Sequence, residues 1–305
     1  MKILLLPDKE RWAYDRIARS IVKWNNCDDV DIHVVPIKRN AKKIKNIYKK
    51  YDRTLVMGWQ NYQLLKFLPK HKTMVGIHSF HAWDEGKSQP NHVVNPNKDL
   101  IEFLNKFQRI NAVSTRLFKL FKKHGVKKIF YTPNGVDHKA FKPVNHKHKG
   151  FVVGYSGASS SDWRKGVSEF IIPAIKKSKT IPSIAMARDK TYVPMEKMPH
   201  FYNELDCYVC ASSSEGFSLS VLEAASSGVP IISTRVSGTE ELIIDGKNGF
   251  LVDRDVNAIA DKITLLKKNK NLRQRIGGGM RKHVVNKYSW EKRAKTWIDF
   301  ICKKG

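Results

Sequence analysis

The sequence predicts an α/β protein built from two Rossmann-like domains with parallel sheets. Short apolar runs alternate with longer, mostly helical stretches along the 305 residues, which is typical of strand–helix–strand units. This length suffices for two domains that each bury a core. The segment 143–150, PVNHKHKG, is polar, basic and without periodicity, so we expect the domain boundary there. The predicted domains are 1–146 and 147–286, followed by a closing helix over 287–305 that packs back on the first domain.

The apolar runs and the helical periodicity place the individual elements. Strands are predicted at 3–6, 32–35, 54–57, 74–77, 110–113 and 129–131 in the first half, and at 152–155, 183–187, 207–210, 230–234 and 250–252 in the second. Helices are predicted at 16–23, 98–106, 115–123, 165–176, 218–227, 256–268 and 271–286. Parallel sheets bind ligands beyond the carboxyl ends of their strands. We therefore expect a ligand crevice between two facing sheets.

The apolar segments and the cysteines favour a cytoplasmic protein. No apolar run approaches the roughly 20 residues that span a bilayer. The first residues, MKILLLPDKERW, hold too short an apolar segment for a secretory signal and predict a buried strand. Cys207 and Cys210 have zinc-knuckle spacing, but they fall in an apolar strand without a second Cys or His pair nearby. Core thiols are the better interpretation.

The most informative segment is 206–245, DCYVCASSSEGFSLSVLEAASSGVPIISTRVSGTEELIID. Glu215 stands where a serine-rich turn enters a predicted helix, and Glu223 lies about two turns further, so both carboxylates are expected to face one crevice. Unpaired N–H groups at the helix start would favour an anion. These groups belong to Gly216, Phe217 and Ser218. Carboxylates that hold sugar hydroxyls beside an anion site predict a nucleotide-sugar pocket.

The two glutamates resemble the E-x7-E motif of retaining glycosyltransferases of the GT4 type, the glycosyl transferases group 1, which have the GT-B architecture. Four further segments resemble that family in the same order along the chain: 132–143 (TPNGVD…F.P), 154–166 (GYSG…KG), 240–252 (EELI.DG..GFLV) and 288–290 (YSW). The matching segments cover most of residues 125–300. The resemblance therefore implies two facing Rossmann-like domains with an interdomain crevice.

The resemblance also implies roles for individual residues. Glu215 is expected to contact the transferred sugar, and Glu223 to bind the ribose hydroxyls of the donor. Lys165 is expected to grip the leaving phosphate, because the chemistry mainly needs fixed charge where charge develops. The other donor-binding positions implied are Gly157, Gly216, Phe217 and Ser218.

The chain departs from the family at one phosphate-binding position. Family members usually carry an arginine just after the first strand of the second domain, whereas here Gly157 is followed by Ala158. Arg164, beside Lys165, and Arg188, at the end of the next predicted strand, are the two candidates to replace it.

In the first domain, His78 follows a predicted strand, where family members often have a histidine that contacts the donor sugar. His81 is a rival in the same loop, as is Asp84. The loop 7–13 lacks the glycine-rich stretch common in the family, so acceptor recognition does not transfer. Trp12 either stacks on an acceptor ring or packs against a helix.

The sequence demands no metal and no cofactor besides the donor substrate. Asp29-x-Asp31 and Asp253-x-Asp255 have the D-x-D spacing that metal-dependent transferases of the other main fold use. Neither has the right setting, since the first precedes a strand and the second follows one, so solvated charge is the better interpretation. Lys165 and helix N-terminal amides would supply the positive charge.

The positive charge is concentrated in the first half of the chain. The net charge is +28; residues 1–150 hold 31 Lys+Arg and 12 Asp+Glu (+19), and the remainder holds 25 and 16 (+9). The densest stretches are 38–50 and 116–128. In the second, apolar and basic residues interleave as in an amphipathic helix that could lie on an anionic membrane. DNA would feel the same field, and solvated helix faces are a third interpretation.

We therefore expect a retaining, hexosyltransferase-like enzyme that builds a surface glycan or glycolipid from the cytoplasmic side, with peripheral contact to the inner membrane face. Its expected partners are a nucleotide sugar, a glycan or lipid-linked acceptor, and an anionic membrane surface. Two alternatives stay open: sugar transfer to hydroxylated DNA bases, and a non-catalytic nucleic-acid- or sugar-binding module of the same fold, which Ala158 keeps open. No short motif selects the base, the sugar, the acceptor or the oligomeric state.

Overall fold

The structure is a computed structural model, and it describes residues 1–80, 83, 87–144, 149–187 and 189–303. The chain divides into two units, each containing one parallel sheet. Unit 1 comprises Met1–Glu85, Val94–Gly135 and Trp290–Gly305, and unit 2 comprises Gly86–Val93 and Val136–Ser289. The domain limits at 146 and 286 stay predictions.

Unit 1 is built on a six-stranded parallel sheet with the order β2-β1-β3-β4-β5-β6. Its strands are β1 (Lys2–Leu6), β2 (Asp31–Val34), β3 (Arg53–Val56), β4 (Thr73–Ile77), β5 (Arg109–Ala112) and β6 (Ile129–Tyr131). The inner strands β4 and β5 are buried along their whole length, as expected for a parallel sheet covered on both faces. The edge strand β2 is partly exposed.

Unit 2 is built on a five-stranded parallel sheet with the order β11-β10-β9-β7-β8. Its strands are β7 (Val152–Ala158), β8 (Ile181–Ala187), β9 (Cys207–Cys210), β10 (Ile231–Thr234) and β11 (Phe250–Val252). The central strand β9 and its neighbour β10 are fully buried. All eleven strands predicted from the sequence are present, which confirms the fold class.

Helices fill the connections between the strands. In chain order they are α1 (Ala13–Lys23), α2 (Ala41–Ile47), α3 (Tyr62–Phe67), α4 (Lys98–Asn105), α5 (Thr115–Lys123), α6 (Asp162–Lys165), α7 (Ile172–Lys177), α8 (Met198–Asn203), α9 (Leu219–Ser226), α10 (Thr239–Leu242), α11 (Val256–Lys268), α12 (Lys270–Tyr288) and α13 (Trp290–Cys302). Several begin at a side-chain cap. Asn97, for example, accepts a hydrogen bond from the N–H of Leu100 at 2.9 Å.

The last helix, α13, is fixed to the sheet of unit 1 through the carbonyl groups at its C-terminal end. Arg109 on β5 donates a hydrogen bond to the carbonyl of Phe300 at 2.7 Å. Arg53 on β3 donates to the carbonyl of Ile301 at 2.5 Å. Carbonyls at a helix C-terminus lack partners within the helix and attract cations. The two arginines therefore stabilise the end of α13 on unit 1.

The continuous helix predicted over 165–176 is wrong. Helix α6 ends at Lys165, because Gly166 adopts a left-handed conformation with φ of 67°. A π-helical turn, Val167–Ile171, and then α7 follow. A Cβ at position 166 would lie 2.8 Å from the Phe170 side chain and 3.0 Å from the Ala211 carbonyl oxygen. This glycine therefore lets the chain turn tightly just after Lys165.

Helix α5, over which the sequence predicts a basic amphipathic helix, turns its apolar side into unit 1. Leu117 and Phe121 are fully buried, and the ring of Phe121 packs edge-on against Trp83 at 5.0 Å between centroids. The side left exposed carries Lys119, Lys122 and Lys123. Leu117 and Phe121 are therefore unavailable to a membrane, whereas Phe118 and Leu120 are half-buried. Among the residues that the structure describes, no helix is both long and apolar enough to cross a bilayer.

Candidate functional site

A compact cluster of charged side chains lies where β7 and β9 end in unit 2. The strands are paired, so their carboxyl ends meet at the same edge of the sheet. Helix α6 follows β7, and the loop 211–218 follows β9. The Lys165 ammonium donates a short hydrogen bond to Oε1 of Glu215. The carbonyl of Arg164 accepts a hydrogen bond from the N–H of Ser213 at 2.8 Å, which joins the two loops.

Glu215 is the centre of this cluster, and protein groups engage both of its carboxylate oxygens. Oε1 also accepts a hydrogen bond from the Ser212 hydroxyl at 2.6 Å. Oε2 lies 3.7 Å from Nη1 of Arg164, which itself donates to the carbonyl of Ser214 at 2.6 Å. The side chains of Lys165, Arg164 and Glu215 are only 15%, 15% and 8% exposed.

The electrostatics of the cluster keep Glu215 ionised. Burial by itself would raise the pKa of this carboxyl. The charges of Lys165 and Arg164, with the hydrogen bonds to the carboxylate, outweigh burial and lower the pKa below its ordinary value. The structure thus holds two cations beside one carboxylate, at a strand end where anions can be bound. Of the two candidates for the missing arginine, Arg164 lies in this cluster, and Arg188 lies outside the described residues.

Sequence analysis missed Arg254, which ties the two loops together. Its Nε donates to the carbonyl of Ala211 at 2.9 Å, and its guanidinium lies 4.3 Å from the centroid of the Phe170 ring. Burial lowers the pKa of this arginine. Arg254 comes from the segment after β11, so only the folded chain brings it here. A signal was present, since a basic residue interrupts the D-x-D pattern of 253–255.

The geometry predicted for the two glutamates is wrong, because Glu215 does not belong to the helix. Helix α9 begins at Leu219, and Glu215 lies four residues earlier in irregular backbone. Ser218 caps the helix by accepting a hydrogen bond from the N–H of Val221 at 3.5 Å. The N–H groups at the helix start are therefore those of residues 219–221 rather than 216–218. The spacing of eight between the glutamates does not reflect two helical turns.

Glu223, on α9, is held by a chain of buried hydroxyl groups. Its Oε2 accepts a hydrogen bond from the Tyr202 hydroxyl at 3.0 Å. That hydroxyl also pairs with the Ser156 hydroxyl at 2.9 Å, and the Tyr208 hydroxyl donates to the Ser156 carbonyl at 3.1 Å. Burial, followed by the nearby Glu223, raises the pKa of Tyr202. The sequence contains no motif for this hydroxyl chain, to which three separate elements contribute.

Gly157, near the end of β7, lies against the Tyr155 side chain. A Cβ at position 157 would collide with the Tyr155 hydroxyl oxygen, so the position requires glycine. The hydroxyl is buried, and among the described residues it has no hydrogen-bond partner. Burial raises its pKa. Phe217 is also buried, with its ring 5.3 Å from that of Tyr288. Gly216 is likewise buried.

His78, at the end of β4 in unit 1, lies between two aromatic rings. Its ring centroid is 4.7 Å from that of Tyr14 and 5.9 Å from that of Trp297. The residue is 7% exposed, and neither ring nitrogen has a hydrogen-bond partner among the described residues. Burial lowers its pKa to about 3. The imidazole is therefore neutral at physiological pH, and it can exchange hydrogen bonds with an uncharged group such as a sugar hydroxyl.

The remaining candidates from the sequence fall in different settings. Trp12 is half-buried before α1, with the Lys9 ammonium 4.2 Å from its ring centroid. His81 and Asp84 lie outside the described residues. Asp255 is the cap of α11, accepting from the N–H of Ala258 at 2.8 Å.

The other potential metal ligands are also dispersed. Asp31 pairs with His33 at 3.0 Å. Cys207 and Cys210 are buried free thiols whose pKa values are raised by burial. Across the described part of the chain, no group of three or more His, Cys, Asp or Glu residues is arranged to hold a metal ion.

Comparison with known proteins agrees with the fold. Sucrose-phosphate synthase from Thermosynechococcus elongatus superposes with a TM-score of 0.74 at 15% identity, covering 97% of each chain. Anabaena Alr3699/HepE, solved in complex with UDP and glucose, gives a TM-score of 0.72 at 14% identity, covering 98% of each chain. The two parallel-sheet α/β units therefore have the GT-B fold.

The sequence comparisons relate part of the chain to one family. Residues 189–283 match the family described as glycosyl transferases group 1, and they include both glutamates. The capsular polysaccharide biosynthesis glycosyltransferase CapM of Staphylococcus aureus is 29% identical over 209 residues, which cover 56% of this chain and 54% of CapM. The chain thus spans about half the length of this curated relative. Over this segment the chain is similar to the group 1 glycosyltransferases.

Proposed function

We propose that the protein is a retaining, metal-independent glycosyltransferase of the GT4 type. It transfers a hexosyl group from a nucleotide-diphosphate sugar to a hydroxyl group of a surface glycan or glycolipid. The buried cluster of Lys165, Arg164 and Glu215 carries this proposal. The comparisons support it through the UDP and glucose bound to Alr3699/HepE and through the similarity to CapM, a capsular polysaccharide biosynthesis glycosyltransferase.

The cluster suits the departure of a nucleoside diphosphate. Breaking the glycosidic bond of the donor places negative charge on the leaving phosphate, which fixed cations in a poorly hydrated site stabilise. Lys165 and Arg164 are held in place by Glu215, so they need little reorganisation when that charge develops. Phosphate oxygens can replace part of the contacts that Glu215 makes with Lys165 and Arg164. The Glu215 carboxylate can then face the transferred sugar. Protein cations then do the work that a metal ion does in other transferases.

Glu223 extends the proposed donor site. Its carboxylate, held by Tyr202, accepts hydrogen bonds from the ribose hydroxyls. His78, a neutral imidazole of unit 1, stays the candidate to contact a sugar hydroxyl. The anomeric configuration is retained because the diphosphate departs from, and the acceptor attacks, the same side of the sugar ring. In this mechanism Glu215 forms no covalent bond with the sugar.

The test is a panel of nucleotide sugars, each incubated with the protein in the presence of EDTA and scored for release of the diphosphate. Thermal unfolding with each free diphosphate runs in parallel, because a ligand that binds only the native state raises its stability. We expect one base to stand out in both measurements. With an acceptor, the anomeric configuration of the product is read by NMR, and an inverted product contradicts the retaining mechanism.

Three variants separate binding from turnover. Lys165→Ala is expected to lower kcat roughly 100-fold or more, the effect of losing one preorganised donor, while donor affinity changes less. Glu223→Ala is expected to weaken nucleotide binding. Lys176→Ala, an exposed lysine on α7, is the matched control and keeps wild-type kinetics. Full activity of both site variants would refute the assignment, and binding without release by any donor would favour a non-catalytic module.

A further inference from the structure

We infer that one surface of unit 1, formed by α2, α3 and the turn after each, docks the enzyme on an anionic lipid membrane. The inference rests on the proposed function, since a lipid-linked or surface acceptor is met at a membrane. We call this surface the α2–α3 face. It consists of Lys45, Tyr48, Tyr62, Lys66, Phe67 and Lys72.

The α2–α3 face is strongly positive. Between residues 38 and 72 the sequence has 11 Lys+Arg and one Asp+Glu, a balance of +10. Asp52, the single acidic residue, accepts a hydrogen bond from the backbone N–H of Lys2 at 2.7 Å, and it forms no ion pair with a lysine in the described part of the chain. Lys45 and Lys66 are exposed, and no acidic group among the described residues pairs with either. Basic residues near an anionic bilayer each contribute about 1 kcal/mol to its attraction.

Exposed aromatic rings lie among these lysines. Phe67 is 44% exposed and Tyr62 is 40% exposed, although both are large apolar side chains. Phe67 joins the two helices, because the Lys45 ammonium lies 5.0 Å from its ring centroid and the Tyr48 ring packs edge-on at 5.5 Å. Aromatic rings beside lysine stems fit the boundary between lipid headgroups and acyl chains, where ammonium groups meet phosphates and rings enter the apolar layer.

The same contacts disfavour single-stranded nucleic acid. Proteins that bind it stack bases on bare aromatic faces. Here the Lys66 ammonium lies 4.3 Å from the Tyr62 ring centroid, and the Phe103 ring lies 4.6 Å away. A base would have to displace Lys66 or Phe103 before it could stack on Tyr62. An anionic bilayer can contact the lysine and the rings without displacing either.

The inference also moves the membrane contact away from α5. Leu117 and Phe121 of α5 are buried in unit 1, and Phe118 and Leu120 are half-buried, so the fully exposed residues that this helix offers a membrane are lysines. The α2–α3 face offers lysines and exposed rings together. Two lysines exposed on α5, Lys119 and Lys122, therefore provide a matched control of equal charge in the same unit.

The test is sedimentation of the full chain with vesicles of phosphatidylcholine alone, or of phosphatidylcholine mixed with phosphatidylglycerol. We expect binding to the anionic vesicles only. The double variant Lys45→Gln/Lys66→Gln is expected to weaken that binding roughly 30-fold, at about 1 kcal/mol per lysine. Lys119→Gln/Lys122→Gln is expected to stay within about threefold of wild type. Phe67→Ser is expected to weaken binding also at high salt, where charge attraction is screened.

Other outcomes overturn the inference. Equal losses of vesicle binding in the two double variants would show that a diffuse positive field, and no particular face, attracts the membrane. Absence of vesicle binding by the wild-type protein would exclude a membrane as the partner. Binding of a DNA duplex that depends on Lys45 and Lys66, without vesicle binding, would make nucleic acid the partner. Release of diphosphate from the donor is measured on the same samples without vesicles. If release persists while vesicle binding fails, only this inference falls; if release is absent while the face still binds vesicles, the proposed function falls instead.

Discussion

Replacing Tyr202 with phenylalanine is expected to destabilise unit 2, whereas the same replacement at Tyr155 is not. Both tyrosines are almost completely buried, at 0% and 2% exposure. They differ in what their hydroxyls contact. The Tyr202 hydroxyl donates to Glu223 at 3.0 Å and pairs with Ser156 at 2.9 Å. The Tyr155 hydroxyl has no partner among the described residues. The pair therefore isolates the contribution of a satisfied buried hydroxyl.

The expected magnitudes follow from these contacts. Tyr202→Phe takes a donor from a buried carboxylate oxygen, which costs about 1–3 kcal/mol in the free energy of unfolding. The Ser156 hydroxyl keeps a contact with the Tyr208 hydroxyl at 3.3 Å, so its loss is smaller. Tyr155→Phe removes a buried hydroxyl that makes no hydrogen bond, so the free energy of unfolding stays unchanged or rises by up to about 1 kcal/mol.

Native-state hydrogen exchange measured by mass spectrometry is the suitable assay, because peptides from β7 and β9 report the opening of unit 2 separately from unit 1. We expect these peptides to exchange faster in Tyr202→Phe and at the wild-type rate or slower in Tyr155→Phe. Equal shifts in the two variants would refute the reasoning, since ring packing rather than hydrogen bonding would then set the stability.

Three more predictions concern packing and pH. Gly277→Ala in α12 is expected to lower the free energy of unfolding by about 1–3 kcal/mol, because the added Cβ would collide with the backbone carbonyl oxygen of Gly228. Gly278→Ala is expected to raise the free energy of unfolding by up to about 1 kcal/mol, because its Cβ would meet nothing within 4 Å. Denaturant unfolding checks both variants. His78 has a pKa of about 3 in the folded protein, below the unfolded value near 6.5, so its contribution to stability is full above about pH 6.5 and is lost as the pH falls toward 3. At pH 5 the imidazole ¹⁵N chemical shifts are expected to be those of a neutral ring. Shifts of a protonated ring at that pH would contradict this. Glu215 also has a lowered pKa in the folded protein, so its contribution to stability is present above its unfolded pKa of about 4.3 and is lost as the pH falls through the folded pKa. The Glu215→Gln variant is expected to lose stability less steeply with acid than wild type. If its acid-unfolding profile by circular dichroism matched that of wild type, the contribution assigned to Glu215 would be wrong.

Local patterns sufficed for most of the fold. Every predicted strand is present, because buried parallel strands appear as apolar runs bounded by polar turns, whatever they pack against. Sequence analysis missed the short helices α2, α3, α8 and α10, which have seven, six, six and four residues. Helices of one or two turns show too little periodicity to recognise, and packing rather than propensity stabilises them.

Some residues of the candidate site were likewise predictable from local sequence, and others were not. Lys165, Glu215 and Glu223 were predicted as donor-site residues from motifs, and Arg164 from its place beside Lys165. Arg254 and Tyr202 were not. The local sequence of Tyr202 carries no motif, and the D-x-D pattern around Arg254 does not indicate which loops this arginine joins. The predicted spacing of the glutamates was wrong, because it counted the residues from Glu215 to Glu223 as two helical turns, whereas the helix begins only at Leu219.

The sequence by itself determined two parallel-sheet units and the residue types available for donor chemistry, because apolar periodicity and short motifs are local properties. Only the tertiary structure decided which groups meet. Lys165 and Glu215 are 50 positions apart, yet they pair, because β7 and β9 lie side by side and bring both loops to one sheet edge. The tertiary structure also decided which side of α5 is buried and which rings around α3 stay exposed. These outcomes depend on contacts between distant segments, which no local pattern encodes.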